Sequence, residues 1–448
     1  AHPKFHKAVN HNALRPYLTL QFSATDETFF EGVYKLPAAH CFTYDLATHT
    51  MDVRRYWDCD FSEIDKPFEE YVDELDKVVH ESVSAHRIAD VKVGSFLSGG
   101  VDSSYIAACL MPDKTFSVGF DYNKFNETNY AKELSDKLGI ENYRKMISAD
   151  EFFEALPEIQ YHMDEPQSNL SSVPLWFLAQ MAAEQVTVVL SGEGADEIFG
   201  GYAWYEDNPS VAKYKRMVPF GVRRALGKAA KHMPYFKGHN FLMKGAEMAE
   251  EYFVGQALVW PEREVSNVLR PEYDKGEGAF ELAAPIYARV SDKSELIRKQ
   301  YLDMNMWLPG DILLKADKMC MAHSLELRVP FLDRRVMEFA EHIPDRYRVN
   351  ENGNKLVLRH AANKSLPDEW ATRPKVGFPV PMIYWLREEK WYNWVKEYFA
   401  APWASEFFDC DVLMGLLDEH YEGKAQNQRK IYTTLVFLIW YKRYFIDE

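Results

Sequence analysis

The hydrophobic positions along the chain change their spacing near residue 63. Before it, residues 40–46 and 51–57 alternate apolar and polar side chains across a short polar turn, which predicts a β-hairpin. After it, apolar residues recur at steps of three and four, which predicts an amphipathic helix. These residues are Phe68, Val72, Leu75, Val79 and Val83. We therefore predict a β-rich first segment over residues 1–62 and a second unit over residues 63–448.

Strand-like and helix-like patterns alternate from residue 91 to residue 190. The predicted strands cover residues 91–97, 115–120, 143–147 and 186–190, and the predicted helices cover residues 102–111, 128–138, 151–161 and 174–185. This alternation is typical of an α/β fold with a parallel sheet and right-handed crossovers. Beyond residue 205 the spacing is mostly helical, so we expect C-terminal helices to pack on or extend that layer.

A turn rich in glycine and serine, SFLSGGVDSS at residues 95–104, follows the first of these strands. Gly99 and Gly100 allow a tight turn that brings several backbone N–H groups close to an anion. The helix that starts near Asp102 adds its positive N-terminal end. Because ligands of open parallel sheets bind beyond the carboxyl ends of the strands, the turn is predicted to bind phosphate. It matches neither G-x-x-x-x-G-K-[ST] nor G-x-G-x-x-G.

A second turn of the same kind, VVLSGEGADEIFGGY at residues 188–202, follows the last of these strands and holds three carboxylates. Burying Glu193, Asp196 and Glu197 together is costly unless a metal ion or a cationic group is present. A solvated acidic turn fits less well, because apolar residues bracket the motif. The two turns predict one shared site in which Asp102 and Asp196 hold Mg²⁺ against nucleotide phosphates. Alternatively, Asp102 is an ordinary residue of a helix N-terminus.

Composition excludes several other classes of protein. The net charge is −16, so a nucleic acid is a poor candidate partner. Five scattered cysteines without C-x-x-C spacing favour neither a disulfide framework nor a zinc site. No apolar run is long enough to span a bilayer, and no basic-then-apolar signal sequence opens the chain. We therefore expect a cytoplasmic protein with no membrane partner.

Three motifs in fixed order make the chain resemble the synthetase domain of glutamine-hydrolysing asparagine synthetases, which belong to the PP-loop ATP pyrophosphatases. They are FLSGGVDSS (96–104), LSGEGADEIFGGY (190–202) and HSLELRVPFLD (323–333). The resemblance covers nearly the whole chain. It implies a Rossmann-like sheet of the adenine nucleotide alpha hydrolase type. It also implies that aspartate and ATP form β-aspartyl-AMP and pyrophosphate, after which ammonia displaces AMP.

The same resemblance implies roles for individual residues. The pyrophosphate portion of ATP is assigned to Ser98, Gly99, Gly100, Asp102 and Ser103, and the adenosine end to Leu97, Val118, Ser191 and Gly192. Asp102 and Asp196 become the Mg²⁺ ligands, and Glu193 the acid of the intermediate-forming site. Lys375, in the segment RPKVGFPVP, matches the lysine that contacts phosphate in the family. From the sequence pattern alone, Lys375 is equally well an ordinary surface residue.

The pattern departs from the family at its start. The family's glutaminase half begins with a cysteine nucleophile, whereas this chain begins with Ala1 and its first cysteine is Cys41. Residues 16–40 resemble the end of that half, so we interpret residues 1–62 as its C-terminal remnant and linker. We expect that this chain does not hydrolyse glutamine, and that ammonia comes from glutamine in a complete enzyme.

Other functions stay open from sequence alone. A related synthetase that activates another carboxylate, including a β-lactam-forming one, would share the ATP site. A nucleotide-binding homologue without catalysis would be expected to lose the acidic or small residues of the turns, which are all present here. A tRNA-modifying PP-loop enzyme is disfavoured by the acidic surface. The oligomeric state is undetermined, with a homodimer as one expectation.

Overall fold

A five-stranded parallel sheet organises the protein. The computed structural model describes residues 4–121, 128–206, 208–233, 238–374, 377 and 379–447. The strands within them are β1 (His40–Asp45), β2 (Thr50–Arg55), β3 (Val93–Phe96), β4 (Lys114–Phe120), β5 (Glu141–Ile147), β6 (Val188–Leu190) and β7 (Glu326–Arg328). The sheet has the order β5-β4-β3-β6-β7, and all its pairings are parallel. The predicted α/β class with a parallel sheet is thus confirmed.

Helices cover both faces of this sheet. Those in the described residues are α1 (Leu14–Leu20), α2 (Phe68–His86), α3 (Val101–Leu110), α4 (Thr128–Leu138), α5 (Ala149–Met163), α6 (Ser172–Ala183), α7 (Ala195–Phe199), α8 (Pro209–Met217), α9 (Phe220–Lys231), α10 (His239–Ala246), α11 (Ala249–Tyr252), α12 (Glu262–Val265), α13 (Ala279–Ala288), α14 (Glu295–Leu302), α15 (Leu314–Met321), α16 (Arg334–Ala340), α17 (Asp345–Arg348), α18 (Leu356–Ala362), α19 (Asp368–Ala371), α20 (Met382–Trp385), α21 (Glu389–Phe399), α22 (Cys410–Tyr421) and α23 (Gln428–Tyr441). Of these described helices, none combines the length and the apolar character that crossing a membrane would require.

The central strands are apolar on both faces because each face contacts a helical layer. In β6, Val188 and Leu190 belong to the core that α2, α3 and α18 cover, whereas Val189 belongs to the core with α5, α6 and α23. Successive residues of a strand point to opposite sides, so one short apolar run serves both cores. This burial explains why the run is continuous rather than alternating.

The first segment contains one helix that the sequence did not predict. Residues 40–55 form the predicted antiparallel hairpin of β1 and β2. The β-rich interpretation is wrong for Leu14–Leu20, which is α1. Leu14, Tyr17 and Leu18 have helical spacing and are fully buried, and the ring of Tyr17 lies close to Phe437 of α23. The boundary at residue 62 stays a prediction, although α1 packs into the same core as the last helix.

A π-helical segment, Asp303–Leu313, joins α14 to α15 and contains Pro309. Such segments insert an extra residue per turn and recur at functional sites. The carboxylate of Asp303 is fully buried, and the Tyr205 hydroxyl donates to it at 2.6 Å. Burial raises the pKa of Asp303 from 3.8 to about 8, although the hydroxyl opposes the rise. The folded protein therefore keeps the proton of Asp303 over a pH range in which the unfolded chain has lost it.

We expect the free energy of unfolding to fall as pH rises through this range, because ionised Asp303 is disfavoured in the folded state. Asp303→Asn cannot ionise. The stability of the wild type relative to this variant should decrease by about 1 kcal/mol per pH unit between about pH 5 and pH 7. Urea unfolding of both proteins across that range measures the difference. A constant difference would contradict the assignment of a buried, protonated Asp303.

Candidate active site

The two glycine-serine turns are in direct contact beyond the carboxyl ends of strands β3 and β6. Ser95 of β3 pairs with Leu190 of β6, so both strands end at the same level. A Cβ on Gly192 would lie 2.7 Å from the carbonyl carbon of Asp102 and 2.7 Å from the nitrogen of Ser103. Real Cβ atoms do not approach backbone this closely. The turn after β6 therefore rests on the start of α3 only because residue 192 is glycine.

A buried lysine joins the two turns. The Nζ of Lys355 lies 2.6 Å from Oδ2 of Asp102 and 2.6 Å from Oδ1 of Asp196. Lys355 has no exposed surface, and both carboxylates are nearly buried. Gly201 provides the space for this group, because a Cβ there would overlap Lys355 Cε and the Asp196 carboxylate. The predicted convergence of Asp102 and Asp196 is present, with an ammonium between them.

The first turn is closed by its own serines. The backbone N–H of Ser98 donates to Oγ of Ser103 at 3.1 Å, and the N–H of Gly100 donates to Oγ of Ser98 at 3.3 Å. The two hydroxyls lie 3.0 Å apart. Gly99 has φ of +84°, a conformation that favours glycine, and its carbonyl accepts a hydrogen bond from Arg373. The turn therefore presents a cluster of N–H and hydroxyl donors at the N-terminus of α3.

These residues line a cavity of about 540 Å³. The predicted residues on its wall are Leu97, Ser98, Gly100, Asp102, Ser103, Val118, Ser191, Gly192, Glu193 and Asp196. Gly99 belongs to the first turn but does not line the cavity. Lys375 lies outside the described residues. A volume of this size is within the usual range for cofactor and small-molecule sites.

The three carboxylates of the second turn have separate partners. Asp196 contacts Lys355, whereas Oε1 of Glu197 accepts a hydrogen bond from the Tyr202 hydroxyl at 2.6 Å. Oε1 of Glu193 lies 3.9 Å from Nζ of Lys315. We expected a metal ion or a substrate cation to offset the charges of these three carboxylates, and that expectation left out cations of the chain itself. The chain itself supplies two lysines, and the start of α7 turns neighbouring residues in different directions.

Glu193 and Lys315 form a second pair of opposite charges on the cavity wall. Beside them, the buried Asp311 accepts hydrogen bonds from Gln21 at 2.7 Å, Gln167 at 2.5 Å and Asn169 at 2.9 Å. Burial raises the pKa of Asp311 to about 6, while Lys315 and the amide donors oppose the rise. Gln21 and Asn169 line the cavity. The N-terminal segment therefore contributes directly to this part of the site.

Sequence reasoning missed the cations that line the cavity in the described residues. Arg359 donates to the carbonyls of Ala371 and Arg373, which fixes the segment next to the first turn. The guanidinium of Arg373 lies 3.5 Å from the centre of the Tyr130 ring. Lys315, Lys355, Arg359, Arg373 and Arg429 all line the cavity. In a chain of net charge −16, this local collection of cations favours an anionic ligand.

The donor set fits a magnesium ion. Oδ1 of Asp102 is a buried carboxylate oxygen without a hydrogen-bond partner among the described residues. Within those residues, no group of three or more His, Cys, Asp or Glu side chains could hold a metal by itself. Mg²⁺ commonly binds to one or two carboxylates and completes its coordination with substrate phosphates and water. Asp102 and Asp196 therefore suit an ion that arrives with a phosphate ligand.

Comparison with known proteins gives consistent matches. The family model described as asparagine synthase matches residues 74–442. A glutamine-hydrolyzing asparagine synthetase of Bacillus subtilis is 37% identical, over 98% of this chain and 71% of the relative. A putative one of Mycobacterium bovis is also 37% identical, over 98% of this chain and 68% of the relative. The solved NMN synthetase of Francisella tularensis matches 59% of this chain and 98% of its own at 13% identity, with a TM-score of 0.23 that supports no conclusion.

Removing the shared lysine should destabilise the protein strongly. Lys355→Met keeps most of the side-chain volume and leaves two buried carboxylates facing each other. We expect a loss of about 3–5 kcal/mol in the free energy of unfolding, because one partner of a buried ion pair is removed. Lys364→Met is the matched control, since the pair of Lys364 with Asp73 is exposed. That control should cost less than about 1 kcal/mol in urea unfolding. Equal losses in the two variants would contradict the bridging role.

Adding one methyl group between the turns should weaken nucleotide binding. Gly192→Ala places Cβ against the backbone of Asp102 and Ser103, which must move apart at a cost of about 1–3 kcal/mol. ATP titration by calorimetry measures the resulting loss of affinity. Gly415→Ala in α22 is the control, because its Cβ would meet nothing within 4 Å. Unchanged ATP affinity in Gly192→Ala would show that the contact between the turns does not shape the site.

Proposed function

The chain belongs to the asparagine synthase family, and from this premise we propose that it converts aspartate to asparagine through a β-aspartyl adenylate. It is an enzyme of the ligase class, and its family uses ATP. The observation that carries the proposal is the single cavity shared by the two glycine-serine turns. Its wall combines N–H, hydroxyl and cationic groups suited to phosphate with an acid and a lysine side by side.

The first turn is suited to the leaving pyrophosphate. The N–H groups of Ser98 and Gly100 donate to serine hydroxyls in this structure, and a phosphate oxygen is a stronger acceptor than a hydroxyl. We propose that these donors turn to the β- and γ-phosphates, with Arg373 at the mouth of the turn. Leu97, Val118, Ser191 and Gly192 would then contact the adenosine end. Preorganised donors of this kind stabilise charge that develops on the departing group.

Lys355 adds a fixed positive charge beside the proposed site of the leaving pyrophosphate. Its ammonium offsets one of the two negative charges of Asp102 and Asp196, so the two carboxylates repel the incoming nucleotide less than they would without the lysine. We propose that Asp102 and Asp196 hold Mg²⁺ when the nucleotide binds. The ion would supply neutralisation of phosphate charge. Lys375 is proposed as a further phosphate contact on the basis of the family motif alone.

The second pair of opposite charges on the cavity wall matches an amino acid. A free α-amino acid carries an ammonium and a carboxylate close together, and Glu193 and Lys315 offer the opposite charges 3.9 Å apart. We propose that this pair orients aspartate so that its β-carboxylate attacks the α-phosphorus of ATP. Glu193 is then also placed to take or steer a proton when ammonia attacks the adenylate. Hydrogen bonds to Asp311 hold Gln21 and Asn169 in the cavity wall.

Ammonia is proposed to come from glutamine where a glutaminase half is present. Both relatives are named as glutamine-hydrolyzing, and the chain spans 71% and 68% of their lengths. Gln21 brings the N-terminal segment into the wall of the cavity. An ammonia molecule released on that side of the protein would therefore be close to the acyl group that it attacks.

The proposal is tested by supplying aspartate, ammonium, ATP and Mg²⁺ to the protein. Asparagine should appear in equal amounts with AMP and pyrophosphate, and glutamate in place of aspartate should give much less product. Formation of ADP and phosphate, or product with another acid only, would contradict the proposal. Exchange of labelled pyrophosphate into ATP, dependent on the acid, would establish the adenylate.

Single substitutions separate the roles of the acids. Asp102→Asn or Asp196→Asn should lower pyrophosphate exchange about 100-fold or more, because each removes a carboxylate ligand of the proposed Mg²⁺. Glu193→Gln should retain ATP binding and lose asparagine formation. Asp73→Asn, on the exposed surface, is the matched control and should keep full activity. Full activity in Asp102→Asn or in Glu193→Gln would contradict the corresponding assignment.

A further inference from the structure

One segment of the chain has a charge opposite to that of the rest. Residues 209–246 contain nine lysines and arginines and no aspartate or glutamate, in a chain of net charge −16. The segment forms α8, α9 and α10. Random scatter of acidic residues at the frequency of this chain, 68 in 448, would place several in a stretch of this length. Their absence indicates a surface that faces negative charge.

The three helices pack on each other through small residues. A Cβ on Gly227 of α9 would overlap that of Ala246 in α10, and one on Gly245 would overlap the ring of Tyr214 in α8. Lys215 pairs with Glu295, and Arg224 pairs with Glu251, which connects the group to α14 and α11. The helices therefore hold one another in a defined arrangement.

The larger apolar residues of α9 are exposed. Val222 and Leu226 are 51% and 43% exposed, and Met233, just after the helix, is 55% exposed. Val222 and Leu226 are one turn apart and share a face of α9, and Met233 is exposed just beyond its end, whereas Gly227 and Ala230 are buried. An ordinary surface helix has the reverse arrangement. The outward face is therefore an apolar stripe, defined here by Val222, Leu226 and Met233.

Exposed cations occur on all three helices of the segment. Lys213 and Arg216 of α8, Lys228 of α9 and Lys244 of α10 are all exposed. Phe220 and Met217, at the junction of α8 and α9, add further exposed apolar area. A helix that combines an apolar face with flanking lysines and arginines is typical of one that lies in the plane of a membrane interface.

Two other occupants fit less well. A symmetric contact between two copies through this face would bring two strongly basic segments together, which is electrostatically unfavourable. A nucleic acid would contact the cations but leave the apolar stripe in water. An anionic lipid surface satisfies both features, because headgroups attract the cations and the acyl boundary accepts Val222, Leu226 and Met233.

We propose that α8–α10 form a peripheral binding surface for membranes that contain anionic lipids. The absence of a spanning run, on which the expectation of no membrane partner rested, does not bear on interfacial binding. This surface carries none of the cavity residues, so attachment and asparagine formation are separable.

The test is co-sedimentation of the protein with vesicles of phosphatidylcholine alone and of equimolar phosphatidylcholine and phosphatidylglycerol. The protein should pellet with the anionic vesicles only, and high salt should release it. Leu226→Glu should lower the partition coefficient about tenfold or more, because it places a charge in the interface. Leu46→Glu, at an exposed leucine of the β1–β2 turn, is the matched control and should bind as the wild type does.

The charge contribution is tested by Lys213→Glu combined with Lys228→Glu, which should also weaken binding about tenfold or more. Lys77→Glu, at an exposed position of α2, is the control for a change of charge elsewhere on the surface. Unfolding curves and aspartate-dependent pyrophosphate exchange should match the wild type in all of these variants. Failure to bind anionic vesicles, or equal binding by Leu226→Glu and Leu46→Glu, would overturn the proposal. A dimer in size-exclusion chromatography that Leu226→Glu abolishes would also overturn it, by assigning the stripe to a second copy.

Discussion

The site depends on one buried ion triad, in which the ammonium of Lys355 lies between the carboxylates of Asp102 and Asp196. Each acid belongs to a different strand-to-helix turn, and neither would remain buried without a cation. The lysine therefore does more than neutralise charge. It links two turns that follow adjacent strands and also contact each other at Gly192. The relative positions of the donors in the two turns depend on that link.

The rest of the cavity is arranged around this triad by charge. The N–H and hydroxyl donors of the first turn, with Arg373, form one polar group, and the Glu193–Lys315 pair forms another. In the proposed reaction, the first group binds the nucleotide and the second binds the amino acid. The β-carboxylate of aspartate must then lie against the α-phosphorus of ATP. The π-helical segment carries Asp311 and ends just before α15, which carries Lys315. An irregular backbone thus positions the second group, while regular strand ends position the first.

The parts of the fold that local pattern determines were predictable. Short apolar runs followed by helical periodicity gave β3, α3, β4, α4, β5, α5, α6 and β6 with ends displaced by a few residues. Both turns were visible because glycine, serine and aspartate cluster there in sequence. The role of Lys355 could not be predicted, because its partners are 253 and 159 positions away in the sequence. The preceding Asn-Gly-Asn also resembles any polar turn. Strand β7 has one apolar residue between Glu326 and Arg328, and α1 is short, so neither gave an apolar pattern that could be distinguished.

The central claim is that both turns bind one nucleotide. A structure determined with Mg²⁺ and an ATP analogue that resists cleavage between the α- and β-phosphates tests it most directly. The account predicts continuous ligand density across the cavity, with phosphates at Ser98–Ser103, the adenosine at Leu97, Val118 and Ser191–Gly192, and the metal at Asp102 and Asp196. A nucleotide bound elsewhere, or one that touches only one of the two turns, would contradict it.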